Sequence, residues 1–165
     1  MRVMARTRGR QFAVLRLSIW DDPDFAGLTA DQQLVYIMAI SSPDLSYAGV
    51  FPLLTQRFTR ISDLTDRRVR NALDALTEKR YFIIDRETGE ACVRTYIRHD
   101  GVLKQPNVVR AMNKAYEKVH SGRIRETIRD EVAKALGEGF PQGFPQGLSK
   151  ALEEGFAKDL LEGLV

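Results

Sequence analysis

The clearest helical pattern early in the chain lies in "LTADQQLVYIMAISSP" (28–43). Thr29 precedes Gln32 by three residues, the capping-box spacing in which each side chain satisfies the other residue's backbone N–H. Leu34, Ile37 and Met38 face one way, while Val35, Tyr36, Ala39 and Ile40 nearly complete the circle. A helix apolar on almost every side is a central one, packed on several neighbours. Pro43 stops it. Upstream, "QFAVLRLSIW" (11–20) reads as a short extended stretch and "DDPDFAG" (21–27) as a turn. Downstream, "YAGVFPLL" predicts a strand at Val50–Phe51, after which Pro52 suits the opening of a helix with Leu54, Phe58 and Ile61 at i, i+4, i+7.

The next stretch, "LTDRRVRNALDALTEKRYFIID" (64–85), changes period within itself. Val69, Ala72, Leu73 and Leu76 form one helical stripe, Thr65 is the expected N-cap, and Leu64 and Val69 are spaced as a hydrophobic staple. "YFIID" and "ACVRTYIRH" then read as two strands joined by "RETGE", with Gly89 as the turn residue. The order helix, strand, helix, turn, helix, strand, hairpin turn, strand predicts a winged helix-turn-helix over residues 12–100. Two further helices are expected over 101–136. Pro106 opens the first, with Val108, Met112, Ala115 and Val119 as its stripe, for packing on the winged domain or on a second copy. Ile124, Ile128 and Val132 line the second, with Arg123, Arg125 and Arg129 outward. The fold class is therefore α+β, mainly α: a winged helix-turn-helix with additional C-terminal helices and a flexible tail.

Both ends depart from this pattern. Residues 1–11 form a basic, aperiodic arm expected to be flexible. "GFPQGFPQGL" (139–148) repeats Gly-Phe-Pro-Gln twice, which excludes helix and ladder alike and reads as a linker. It leads to an acidic amphipathic segment with Leu152, Phe156, Leu160 and Leu164 at i+4 steps, a candidate surface for a protein partner or a disordered end. Residues 137–165 are thus read as linker and tail.

Charge sharpens the division. Residues 1–136 hold 23 Lys/Arg against 17 Asp/Glu, whereas residues 137–165 hold 2 against 5. A basic body with a basic arm favours an anionic polymer as partner. The lone cysteine, Cys92, excludes an intramolecular disulfide and suits a reducing cytoplasm. No apolar run approaches the ~20 residues of a spanning helix, so no membrane role and a cytoplasmic location are expected. No enzyme is expected either: GxxxxGK[ST], GxSxG and Cys/His nucleophile patterns are missing, and His99-Asp100 lacks the further ligands a metal phosphohydrolase needs. No cofactor or metal is implied.

The candidate chemistry is therefore DNA recognition. In a helix-turn-helix the second helix enters the major groove with its N-terminal residues nearest the bases. With Val69 inward, Arg67 and Asn71 point straight out and Arg68 and Arg70 flank them; Arg pairs bidentately with guanine and Asn with adenine. Asp74 and Glu78 follow on the same face, where a duplex would leave it. Arg86 at the wing tip, with Lys104, Gln105, Asn107 and Arg110 at the start of the next helix, are candidates for phosphate contacts.

The segments "RLSIWDDPDFAGLTADQQLVYIMAISS", "GVFPLLTQRF", "LTDRRVRNALDALTEKRYFIID" and "VRTYIRHDGVLKQPN" together resemble the N-terminal winged-helix region of DnaD-like replication-initiation proteins and phage replisome organisers. More narrowly, they resemble replication-type proteins of actinobacterial phages and integrated elements. The shared pattern is W-x-DP, a helix opening near LT, a G-x-hydrophobic-P-L strand and a helix ending in L-x-x-x-x-hydrophobic-I. It covers roughly residues 12–108, and no second domain of that family is recognisable after residue 120. The resemblance implies binding of double-stranded DNA, self-association as a homodimer or larger, and hand-over of DNA to a helicase or its loader. A replication initiator is the leading expectation, a winged-helix transcriptional regulator the second, and a non-DNA adaptor for protein contacts the third.

Overall fold

A computed structural model of the chain describes residues 10–138. It is α+β and mainly helical, with one three-stranded antiparallel sheet. After a 3-10 turn at Leu17–Asp21 come α1 (Pro23–Ala26), α2 (Ala30–Ile40), β1 (Val50–Pro52), α3 (Thr55–Arg60), α4 (Asp66–Glu78), β2 (Phe82–Asp85), β3 (Glu90–Val93), α5 (Tyr96–His99), α6 (Pro106–Glu117) and α7 (Gly122–Glu138). A second 3-10 turn, Val102–Lys104, precedes α6.

The expected caps form. Thr29 and Gln32 close the capping box of α2, and the Thr65 hydroxyl accepts the Arg68 N–H at the start of α4. All four stripe residues of α4 are buried, at 0–2% exposure, where each contributes up to about 3 kcal/mol of apolar burial, Ala72 the least. They pack against α2, α3 and β2. The apolar pattern of α2 leaves its most buried face open. Val35 and Ala39 are fully buried and Leu34 is 40% exposed, because a helix apolar nearly all round does not fix its own orientation and α4 fixes it instead. The rest of the apolar circle is still used: Tyr36 meets Phe25, Tyr81 and Phe82 at ring separations of 5.5–6.0 Å.

Several local expectations are corrected. The extended stretch expected over residues 11–20 stops short: Arg16 is extended, but Leu17–Asp21 is a 3-10 turn, with Trp20 edge-on to Phe25. Arg10, assigned to the flexible arm, is tied to the body: its guanidinium donates to the Tyr96 hydroxyl (2.7 Å) and the Ile40 carbonyl (2.6 Å). The turn expected at 21–27 is a helical one, Pro23–Ala26, capped by Asp22. Pro52 ends β1 rather than opening a helix, which is tolerated because β1 is an edge strand of the order β1-β3-β2. In α3 only Phe58 is buried; Leu54 and Ile61 are 57% and 66% exposed.

The second strand of the hairpin also stops early. β3 ends at Val93, and Tyr96–His99 is the helical turn α5. Tyr96 and Ile97 are both buried. Adjacent residues point to opposite faces of a strand but lie only 100° apart on a helix, so burying both on one side demands the turn. Gly49 makes room for it. Its φ of +77° is open to glycine, and a Cβ there would stand 2.9 Å from the Tyr96 Cβ.

Beyond α5 the apolar core continues without a break. In α6 the buried stripe is Val109, Met112 and Tyr116, one position on from the expected start, with Val108 and Ala115 only half-buried. Ile124, Ile128 and Val132 of α7 are buried as expected. Arg125 does not face outward: it folds over the Tyr116 ring at 4.3 Å and donates to the carbonyls of Tyr116 and Val119, closing the end of α6. One hydrophobic cluster runs from Phe25 to Val132. Cys92 lies within it as a small apolar side chain, its thiol pushed up to about 12 by burial.

Burial also raises the Tyr36 hydroxyl from 10.0 to about 12. The unfolded tyrosine ionises first as pH rises, so the stability tied to its neutral form is intact below pH 10 and is lost between 10 and 12. Urea titrations across that range should lose about 2–3 kcal/mol from this residue. Tyr36→Phe should flatten that alkaline limb; an unchanged limb would mean that the hydroxyl is not held neutral.

Candidate nucleic-acid interface

Helix α4 is presented by a short turn. The Ser62 hydroxyl donates to the Phe58 carbonyl (2.7 Å) and accepts the Leu64 N–H (3.3 Å), and Leu64 is buried. With its stripe fixed inward, α4 exposes Arg67, Arg68, Arg70 and Asn71 in its first two turns, then Asp74 and Glu78. The outward face is the expected one.

Its electrostatics differ from those of an open basic front. Arg68 is held by Asp31 of α2 through two parallel contacts, Nε–Oδ2 at 2.8 Å and Nη2–Oδ1 at 2.6 Å. That pairing lowers the Asp31 carboxyl below its ordinary value and raises the Arg68 guanidinium further. Arg70 pairs with Asp66 one turn back at 2.7 Å, and Arg86 with Asp74 at 2.8 Å. Arg67 and Asn71 alone among the four α4 candidates have no side-chain partner among the described residues.

Arg86 is brought beside α4 by the hairpin. Its turn is built on Asp85, whose carboxylate accepts the N–H groups of Glu87 and Thr88, and Gly89 has the left-handed φ of +69° the turn requires. The Ser121 hydroxyl and these N–H groups hold the Asp85 carboxyl below its usual range. Glu90, paired with Asp85 beside the hairpin turn, accepts the His120 and Ser121 N–H groups, so the junction between α6 and α7 meets the sheet there.

Lys104, Gln105, Asn107 and Arg110 stand at the opposite end of α6, about 18 Å along its axis from that junction. Lys104, Gln105 and Asn107 are exposed, and Arg110 donates to Asn107 at 3.1 Å. They form a second polar cluster, carried on a different helix from the α4 front. Leu152, Phe156, Leu160 and Leu164 lie outside the described residues.

Two charged features gave no sequence signal. Glu131 of α7 is 1% exposed, and its carboxylate accepts from Arg94 (3.1 Å), Arg98 (2.6 Å) and Lys134 (3.3 Å). It locks α7 to the end of β3 and to α5. Beyond it, Lys79 and Arg80 at the end of α4 border an open cleft with Arg94 and Arg98. Among the described residues no group of three His, Cys, Asp or Glu could hold a metal ion, and no helix is long and apolar enough to cross a membrane. Comparison with family models, curated proteins and solved structures returns no match.

Removing one partner of a buried pair strands the others. Glu131→Ala leaves two arginines clustered without their counter-ion, a loss of about 2–4 kcal/mol given that both retain some solvent contact. Denaturant unfolding should show it, and a cost near zero would deny Glu131 its role as the lock on α7.

Proposed function

We propose that this chain is a sequence-specific double-stranded DNA-binding protein built on a winged helix-turn-helix, and that it serves a phage or mobile element as a replication initiator or organiser. The element order supports the fold: helix, strand, helix, helix, strand, strand, with β1 added to the hairpin. The observation that carries the DNA reading is Arg67 beside Asn71, outward and without partners among the described residues in the first two turns of α4. That is the position from which a second helix meets base edges, with residue types suited to guanine and adenine.

Arg68, Arg70 and Arg86 have the phosphate-facing role. Their carboxylate pairs are exposed, and exposed pairs are weak enough for a phosphate to take the place of the carboxylate. Lys104, Gln105, Asn107 and Arg110 serve as an outlying backbone contact. The acidic tail, Leu152, Phe156, Leu160 and Leu164, gains nothing near phosphate and serves a helicase or loader, with the Gly-Phe-Pro-Gln repeat as tether. The initiator role itself rests on the resemblance to DnaD-like proteins.

The same ion pairs favour a second reading, a winged-helix adaptor for protein contacts, since they leave the α4 face without a strong positive excess. Salt dependence separates the two, because phosphate contacts release counter-ions and an adaptor has none to release.

Arg67→Ala should cost about 1–3 kcal/mol on a site selected from random duplexes and blur base preference at one position. Asp31→Asn, which frees Arg68, should strengthen binding to all duplexes and steepen the salt slope. If Arg67→Ala binds the selected site as tightly as the parent, α4 is not the reader.

Truncation after Glu138 should leave folding and DNA affinity intact while abolishing maintenance of a plasmid carrying the cognate origin. Normal plasmid maintenance by the truncated protein would remove the recruitment role of the tail.

A further inference from the structure

At the end of α4 remote from Arg67 the backbone takes an unusual course. Arg80 has φ +62°, the one non-glycine residue with positive φ among those described. Its N–H donates to the Thr77 carbonyl at 3.0 Å, and the next N–H, of Tyr81, reaches back to Leu76 at 2.8 Å. This is a helix C-terminus of the type that glycine normally closes, because glycine alone pays no Cβ penalty there. An arginine at that position is therefore held against local preference, and such outliers cluster at functional sites.

The side chains at this corner converge on one space. Lys79, Arg80, Arg94, Arg98 and His99 line an open cleft of about 600 Å³, together with Asp22, Asp24 and Tyr81. Neither Lys79 nor Arg80 has a side-chain partner among the described residues. Arg94 is fixed twice over, its Nε donating to the Arg80 carbonyl at 2.7 Å and its Nη1 to Glu131 at 3.1 Å. Arg98 is fixed on the same carboxylate at 2.6 Å. Four cations, Lys79, Arg80, Arg94 and Arg98, line the cleft with two carboxylates, Asp22 and Asp24, while Glu131 stands behind Arg94 and Arg98. The balance is positive, and Lys79 and Arg80 carry it.

The two carboxylates narrow the ligand. Asp22 and Asp24 line the same space as the cations, so they disfavour a densely charged polyanion and accept hydroxyl or amino donors. They stand close enough to the Tyr81 hydroxyl to reinforce the rise in its pKa that burial begins. The Tyr81 ring itself packs edge-on to Tyr36, 5.5 Å between centroids, which holds it in place as a stacking surface. The volume lies within the range of small-molecule sites.

We propose that this cleft binds a phosphorylated small molecule of the nucleotide class. Lys79 and Arg80 meet the phosphate, Arg94 and Arg98 supply a fixed positive field behind it, and Asp22 and Asp24 take donors from the sugar or base. The assignment does not depend on DNA recognition by α4, whose reader Arg67 is at the other end of the helix.

Calorimetric titration of the full-length protein with ATP, AMP, inorganic phosphate and a short DNA duplex tests it. A nucleotide should bind at one site. Arg80→Gly should weaken that binding about 10- to 100-fold, the loss of a charged hydrogen bond, while raising Tm by about 2–4 °C as the backbone strain is relieved. Lys79→Ala, at an exposed position, should weaken binding without moving Tm. Asp24→Asn should weaken the nucleotide but not inorganic phosphate. No nucleotide binding up to about 1 mM, or undiminished affinity in both Arg80→Gly and Lys79→Ala, would overturn the proposal. So would a duplex that binds through Arg80 where nucleotides do not, which would make the cleft a backbone contact.

Discussion

A carboxylate taken out of water must be met by positive charge, and Glu131 meets that demand in a way that organises the C-terminal half of the structure. Its partners Arg94 and Arg98 are four residues apart. On a strand they would be separated by about 13 Å; bending residues 96–99 into a helical turn brings both guanidinium groups to one carboxylate. That turn buries Tyr96 and Ile97 together, and Tyr96 in turn fills the space that Gly49 leaves open. The lock on α7, the early end of β3 and the glycine beside β1 are thus one arrangement. Its consequence is that α6 and α7 complete the core begun by α2 and α4 rather than forming an appendage.

What could be read from the sequence divides along the same line. Contacts within one helix were legible: the Thr29–Gln32 box, the Thr65 cap, the stripe of α4 and that of α7 depend on spacing alone. So was the order of helices and strands from α2 to β3, because turns at Gly89 and the change of period at Tyr81 are local signals. Orientation was not legible where apolar residues were in surplus. Leu34 and Val35 are equally plausible inward residues of α2, and only the position of α4 decides between them. For α6, Val108 and Val109 posed the same ambiguity.

The site was legible in position and not in charge. The outward direction of Arg67, Arg68, Arg70 and Asn71 follows from Val69 and 100° per residue, and the structure has it so. Whether those arginines are available is decided by acids elsewhere. Asp66 is one turn away and could have been anticipated as an i, i+4 partner. Asp31 is 37 residues away and Asp74 reaches Arg86 only because the hairpin folds back on α4. A count of basic residues along a helix therefore overstates its field.

This distinction changes how the proposed DNA contact has to work. A front of unpaired arginines would attract any duplex strongly and discriminate little. Here Arg68, Arg70 and Arg86 each carry a carboxylate partner, so non-specific attraction is reduced and a phosphate gains only the difference between two exposed ion pairs. On this face the groups without a side-chain partner among the described residues are Arg67 and Asn71, those whose hydrogen bonds would depend on base identity. Pairing also pre-orients the flanking arginines, lowering the entropy lost when they move to a phosphate. Under the proposed reading, internal pairing weakens overall affinity and raises the share of the binding energy that comes from base edges.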